Sequence, residues 1–265
     1  MRRMVEARDG TRLATRIAGP ENGPALVLAH ALGTDMTLWD EAIPLLPEGL
    51  RVLRWDMRGH GGSDVPAAPY AMGTLVSDAE AVIEAHDLRE VVFAGISLGG
   101  MVAQALAVKR LDLVRALVLS NTAAKIGTPK LWDERIAAVR QSGLAPQADA
   151  VIERWFGPRS RMGPAAARAR RVLTGTDVEG YAGCCAAVSG TDLYTPVSGL
   201  RLPLLGLAGS EDRSTPPDLV RETIDLVPGS RFEIVRRAGH LPPLERPADW
   251  AAPVSEFLRA IGHTG

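Results

Sequence analysis

The stretch that decides the fold is Gly95-Ile96-Ser97-Leu98-Gly99-Gly100. An apolar run at 90–94 leads into it and a helical pattern at 101–109 leads out, so these six residues turn a strand into a helix. A G-x-S-x-G sequence in that setting puts the serine on a turn so tight that only minimal side chains two residues to either side avoid a clash. The turn lifts the serine Oγ above the strand ends and aims the Leu98 amide at the place where an oxyanion would form. Ser97 is the candidate nucleophile. Small residues gather in many strand-to-helix turns, so the pattern gains weight only from partners elsewhere in the chain.

Two partners lie downstream. The run at 202–209 reads as a buried strand and ends in Ser210-Glu211-Asp212. The run at 231–235 reads as another and is followed by Ala238-Gly239-His240. A nucleophile, an acid and a histidine, each just past a strand, form a Ser…Asp…His triad in chain order. Of the acids near this position, Glu211 is one residue off and Asp225 falls within a helical pattern at 217–227, so Asp212 is the candidate acid.

Working outward, short apolar runs at 25–29, 51–55, 90–95 and 115–120 read as strands buried on both faces, and 11–18 alternates like a hairpin strand. Helical patterns at 38–46, 73–86 and 101–109 lie between them. The alternation predicts an α/β fold with a mostly parallel, doubly wound sheet and function at the carboxyl ends of its strands. After Ser120 the rhythm breaks. Helical stretches at 128–141, 148–156 and 164–174 run without a strand until 202. The predicted organisation is a core of residues 1–122 and 196–265, with a helical lid inserted at 123–195. The Ala- and Arg-rich run at 165–171 reads as a solvated helix face.

The bulk numbers agree with one α/β core carrying an insertion. The chain has 265 residues, and its 30 basic against 31 acidic side chains leave a net charge of −1. That balance, spread along the chain, gives no nucleic-acid footprint and no polybasic membrane anchor. No apolar run reaches a membrane span, and none follows the charged start as a secretion signal would require. The two cysteines, Cys184 and Cys185, are adjacent and badly placed to pair, which suggests reduced core residues of a cytoplasmic protein. No cysteine or histidine stands at metal-ligand spacing, so no metal is expected.

Other polar clusters read as structural. The segment 56–63 holds Asp, Arg, His and Ser together, but in a turn where such side chains tie down backbone. His30 is expected to be a structural hydrogen-bonder, since a triad needs only one histidine. His86 is expected as a comfortable imidazolium at a helix end, and His263 in a loose tail.

With these elements in place, the chain resembles the α/β-hydrolase superfamily over nearly its whole length, and within it the 3-oxoadipate enol-lactonases. The residues that carry the resemblance are Leu32-Gly33-Thr34-Asp35 with Trp39-Asp40, and Asn121 onward through Pro129. Glu153-Arg154-Trp155-Phe156, Gly180-Tyr181-Ala182 and Cys185-Ala186-Ala187 add to it. The resemblance implies hydrolysis of a small lactone to 3-oxoadipate, without cofactor, by Ser97, Asp212 and His240. It also implies that the loop after the 25–29 strand supplies a second oxyanion amide, which by position is that of Leu32, facing Leu98. The implied substrate carries a free carboxylate, for which Arg135 and Arg154 on separate lid helices are the candidates, with Trp132 and Trp155 walling the apolar part.

One departure is informative. The family's oxyanion loop often reads Ser-Asn-Ser-Leu-Gly-Thr, whereas this chain has Ala29-His30-Ala31-Leu32-Gly33-Thr34. The histidine form is widespread among other hydrolases, so a general carboxylesterase or a cofactor-free perhydrolase stands as an alternative. A non-catalytic ligand sensor on the same scaffold is a third, and an intact triad argues against it. The sequence leaves the oligomeric state open.

Overall fold

Runs rich in Val, Leu, Ile and Phe, bounded by turn residues, form the strands. In the computed structural model, which describes residues 2–265, a hairpin of β1 (Arg2–Glu6) and β2 (Arg12–Ala18) comes first. It is followed by β3 (Ala25–Ala29), β4 (Arg51–Trp55), α1 (Met72–Glu84), β5 (Val91–Ile96), α2 (Leu98–Lys109) and β6 (Val114–Ser120). Five helices come next: α3 (Pro129–Ser142), α4 (Ala148–Trp155), α5 (Pro164–Gly175), α6 (Val178–Ser189) and α7 (Tyr194–Ser198). The chain ends with β7 (Leu204–Gly209), α8 (Pro217–Ile224), β8 (Arg231–Val235), α9 (Pro242–Glu245) and α10 (Pro247–Ala260).

The strands make one sheet in the order β1-β2-β4-β3-β5-β6-β7-β8. β2 runs antiparallel to β1 and β4, and every other neighbouring pair is parallel. Every residue of β3, β5 and β7 is buried, so the sheet is covered on both faces, as a parallel sheet requires. Because β5 to β8 are parallel, Ser97, Asn121, Asp212 and His240 all emerge at one edge, beyond the carboxyl ends of successive strands. Helices α3 to α7, inserted between β6 and β7, follow at this point in the chain. α3 packs on α6 and α4 on α5.

Several expectations are corrected. The helix foreseen at 38–46 is two short 3₁₀ turns, Met36–Trp39 and Ile43–Leu45. Pro44 and Pro47 deny a longer helix its backbone donors, and the Asp35 carboxylate caps the first turn at the Thr37 amide. The helix at 217 ends at Ile224, so Asp225 closes it rather than lying within it. His86 is not a comfortable imidazolium. It is buried beside Thr15, with Nε2 3.0 Å from Oγ1, and burial followed by the Arg3 charge lowers its pKa. Nor is His263 loose, since it is buried with Nε2 3.1 Å from the Ala25 carbonyl. The run at 165–171 is only half solvated. Ala166 and Ala169 are buried, and Arg168 pairs with Asp40 at 2.6 Å. α6 is a helix that sequence reading did not mark, because its small and apolar residues carry no amphipathic period. It buries Cys184 and Cys185, both unpaired, and burial pushes the Cys185 thiol up to about 12.

Candidate active site

The turn after β5 has the geometry that its glycines imply. Ser97 sits at φ 54° and ψ −119°, a conformation that costs a non-glycine residue roughly 1–3 kcal/mol. The surrounding structure holds it there. The Ser97 amide donates to the Ser120 carbonyl at 3.1 Å, and the Ser97 carbonyl accepts from Thr122 Oγ1 at 2.7 Å and from the Met101 amide at 3.1 Å. A Cβ at Gly95 would run into the Gly99 carbonyl, and one at Gly99 into the Ala29 carbonyl. Both positions therefore need glycine. Leu98 is the first residue of α2, so its amide has no partner within the helix and points from the helix's positive end.

The loop after β3 faces this turn. Gly33, at φ +73°, donates its amide to His60 Nε2 at 2.9 Å, and Thr34 donates to the Ala31 carbonyl at 3.1 Å. Those bonds leave the Leu32 amide out. His30 Nε2 accepts the Met57 amide at 2.9 Å, and its Nδ1 lies 2.8 Å from the Ala31 carbonyl. The partners assign both imidazoles as neutral, with the proton on Nδ1. Burial lowers both, and repulsion from His30 were both rings protonated comes next, which takes His60 to about 3. The polar segment at 56–63 is thus a brace. Asp56 accepts the Met36 and Gly62 amides at 2.7 and 2.8 Å, and Arg58 forks onto buried Asp78 with two bonds of 2.6 Å.

At the other end, Asp212 Oδ2 lies 2.8 Å from His240 Nδ1. The same oxygen accepts from Asn121 Nδ2 and Thr215 Oγ1, both at 2.8 Å, while Oδ1 accepts the Ser214 and Thr215 amides at 2.7 and 3.1 Å. Burial alone would push this carboxyl up. The His240 charge, the bonds from His240 and Asn121, and the Ser214 amide outweigh it, so Asp212 stays below the ordinary carboxyl range. The Glu211 carboxylate sits against Gly157, and it is Asp212 that His240 faces. Asn121 and Thr215 are partners of the acid that the sequence did not reveal in that role. Asn121, at φ 48°, occupies a left-handed position that asparagine tolerates well, and an Asn straight after a strand was the available signal.

A cavity of about 150 Å³ joins these parts. Ser97, Leu98, Leu32 and His240 line it, and so do Trp132, Arg135, Arg154 and Trp155. All nine residues picked from the sequence as site candidates therefore meet, eight on the cavity wall and Asp212 behind His240. Trp132 is fixed by its indole N–H, which donates to the Ile126 carbonyl at 2.6 Å, and the Arg135 guanidinium lies 4.8 Å over its ring. Neither Arg135 nor Arg154 has an acidic partner among the described residues. Burial, and then the charge of Arg135, lowers the pKa of Arg154, so an anion placed between the two guanidinium groups would be favoured.

A serine at positive φ in a glycine-flanked turn after β5, a buried acid–histidine pair beyond β7 and β8, and this strand order are the marks of one fold family. The family described as alpha/beta hydrolase fold matches residues 24–247, and the chain belongs to it. Over 263 residues it is 31% identical to 3-oxoadipate enol-lactonase 1 of Acinetobacter baylyi, with 97% of each chain covered. The crystal structure of the enol-lactonase from Burkholderia xenovorans LB400 is similar at a TM-score of 0.93 and 34% identity, covering 97% of this chain and all of that one. A thermophilic esterase from Thermogutta terrifontis, described with malate bound, is similar at a TM-score of 0.92 and 28% identity over the full length of both. The chain is a hydrolase by family. No helix among the described residues is long and apolar enough to cross a membrane.

Proposed function

We propose that this protein opens 3-oxoadipate enol-lactone to 3-oxoadipate, as a step in aromatic catabolism in the cytoplasm, through an acyl-enzyme on Ser97. The observation that carries the reading is the cavity shared by Ser97, His240 and two arginines that have no acidic partner among the described residues. It puts a candidate nucleophile and a candidate carboxylate partner on the wall of one cavity. The similarity to two enol-lactonases supports the same choice of substrate.

His240, with Nδ1–H donating to Asp212, presents Nε2 as the base that takes the Ser97 proton. Ser97 Oγ attacks the lactone carbonyl, and the amides of Leu32 and Leu98 hold the resulting oxyanion, each worth roughly 3 kcal/mol. The ring C–O bond breaks, and the enolate that leaves stays tethered through the acyl group. It takes the former Ser97 proton from His240 and becomes the ketone, which returns His240 to its neutral form. Water, deprotonated by His240, then attacks the Ser97 ester and frees the acid. Arg135 and Arg154 hold the substrate's own carboxylate, against walls of Trp132 and Trp155. Residues 123–195 serve as the lid that reads this end of the substrate. The chemistry needs neither metal nor cofactor.

A general carboxylesterase on the same fold is the second reading, favoured by the similarity to the thermophilic esterase. Purified protein assayed against the enol-lactone and short neutral aryl esters separates the two. A kcat/KM for the enol-lactone about a hundredfold or more above that for p-nitrophenyl acetate supports the lactonase, since a desolvated charge pair alone contributes roughly ten- to a hundredfold. Comparable values for both substrates favour the esterase.

A further inference from the structure

Glu245, the last residue of α9, lies five positions past His240 and takes no part in the mechanism above. Its Oε2 accepts the Gly239 amide at 2.6 Å, immediately before His240. Its Oε1 accepts the Gly157 amide at 3.2 Å and the Ser160 hydroxyl in a short bond. Gly157 stands two residues beyond Trp155, the end of the helix that carries Arg154 and Trp155 to the cavity wall. A second link runs beside the first, because the His240 amide donates to the Trp155 carbonyl at 2.7 Å. Two successive peptides of the histidine loop are therefore tied to the end of α4, one directly and one through a carboxylate.

We propose that Glu245 is a positioning residue, whose two oxygens clasp the His240 loop to the end of α4 and so keep the imidazole in register with Ser97 and the cavity wall. The inference rests on the hydrolase reading of that cavity. Each oxygen faces an N–H donor, so only a carboxylate serves both sides. Glutamine has one carbonyl oxygen and one NH₂, and the NH₂ would face an amide N–H that it cannot accept from. The histidine loop is also sterically committed to this contact, since a Cβ at Gly239 would run into the Trp155 carbonyl. Burial pushes the Glu245 carboxyl above the usual range, and the Ser160, Gly239 and Gly157 donors limit the rise.

The test is Glu245→Gln in the full-length protein, assayed on neutral p-nitrophenyl acetate so that the arginines are not involved. Titration with a neutral p-nitrophenyl phosphonate counts competent sites, and rates are expressed per site, so a partly unfolded preparation does not imitate a catalytic loss. A shift of about 1 Å at a reacting group costs on the order of a hundredfold, so kcat per site should fall ten- to a hundredfold with KM within about twofold. Amide hydrogen exchange in peptides covering 155–160 and 238–241 should accelerate together. A kcat per site within about threefold of wild type overturns the proposal, even if melting temperature or titratable fraction drops, because Glu245 would then serve stability alone. Unchanged exchange in both peptides overturns it as well. Absence of Ser97-dependent turnover in the wild type would sink the hydrolase reading itself. That result is distinct from failure of the clasp, in which the wild type turns over and the variant matches it.

Discussion

Asn121 and Asp212 are joined side chain to side chain, Nδ2 to Oδ2 at 2.8 Å, with Asn121 also donating to the Gly239 carbonyl at 3.1 Å. One amide thus touches the acid beyond β7 and the loop that carries His240 beyond β8, from its own place at the end of β6. With the His240 imidazole foremost, and with Thr215 and the Ser214 amide, it surrounds Asp212 with donors, which is why a carboxylate with no exposed surface stays ionised.

Asn121→Ala removes one donor and leaves the remaining bonds of Asp212 in place. A hydrogen bond to a charged group is worth about 1.5–3 kcal/mol, so kcat should fall roughly tenfold or more while KM stays within about twofold. Steady-state kinetics on any competent ester checks this. An unchanged kcat would mean that Thr215 and the loop amides position the acid without help.

Asp212→Asn should be crippling, with kcat down by about 10⁴, because His240 would be held in the wrong tautomer. Glu211→Gln should stay within a few-fold of wild type. If the Glu211 variant proved the more damaged of the two, the acid would be wrongly assigned.

The brace under the loop after β3 makes a prediction about pH and stability. His60 is held neutral, with its pKa taken down to about 3 by burial first and then by the repulsion of a protonated His30. Its folded value lies below the unfolded value of about 6.5, so the unfolded chain binds the extra proton between the two. The stability contribution is complete above pH ~6.5 and drains away as pH falls toward about 3, by up to about 1.4 kcal/mol per pH unit. His60→Gln keeps an acceptor for the Gly33 amide and cannot titrate. Urea midpoints should therefore drop less between pH 7 and pH 5 in the variant than in the wild type. Parallel drops would show that His60 is not held neutral.

Much of this was legible beforehand, and the reasons differ by element. The strand at 90–95, the turn at Ser97 and the helix after it were readable because sterics at Gly95 and Gly99 admit few alternatives. Asp212 and His240 were readable because parallel strands deliver their ends to one edge of the sheet. The failures were local contests. Helix 38–46 lost to Pro44 and Pro47, and α6 carries no period because nearly all of its faces are buried. His86 and His263 went wrong because their partners, Thr15 and Ala25, lie far away in sequence. Glu245 drew no attention in the sequence, because only the fold brings Gly157 against it.

The arginines test how the substrate is read. Arg135→Met and Arg154→Met keep apolar bulk and delete the charge. At least one should lose about ten- to a hundredfold in kcat/KM on the enol-lactone, with a neutral ester of similar size within about threefold of wild type. Equal losses on both substrates would make the arginine a support for the insertion rather than a reader of the carboxylate.

The central claim is that Ser97 is the nucleophile that opens the lactone. It is tested most directly by kcat/KM of purified Ser97→Ala on 3-oxoadipate enol-lactone, compared with wild type under the same conditions. The variant should keep its circular dichroism and melting behaviour, since Ser97 contributes little to the core, and should lose on the order of 10⁴-fold or more in rate. A folded Ser97→Ala protein that retains a tenth of wild-type activity would contradict the account.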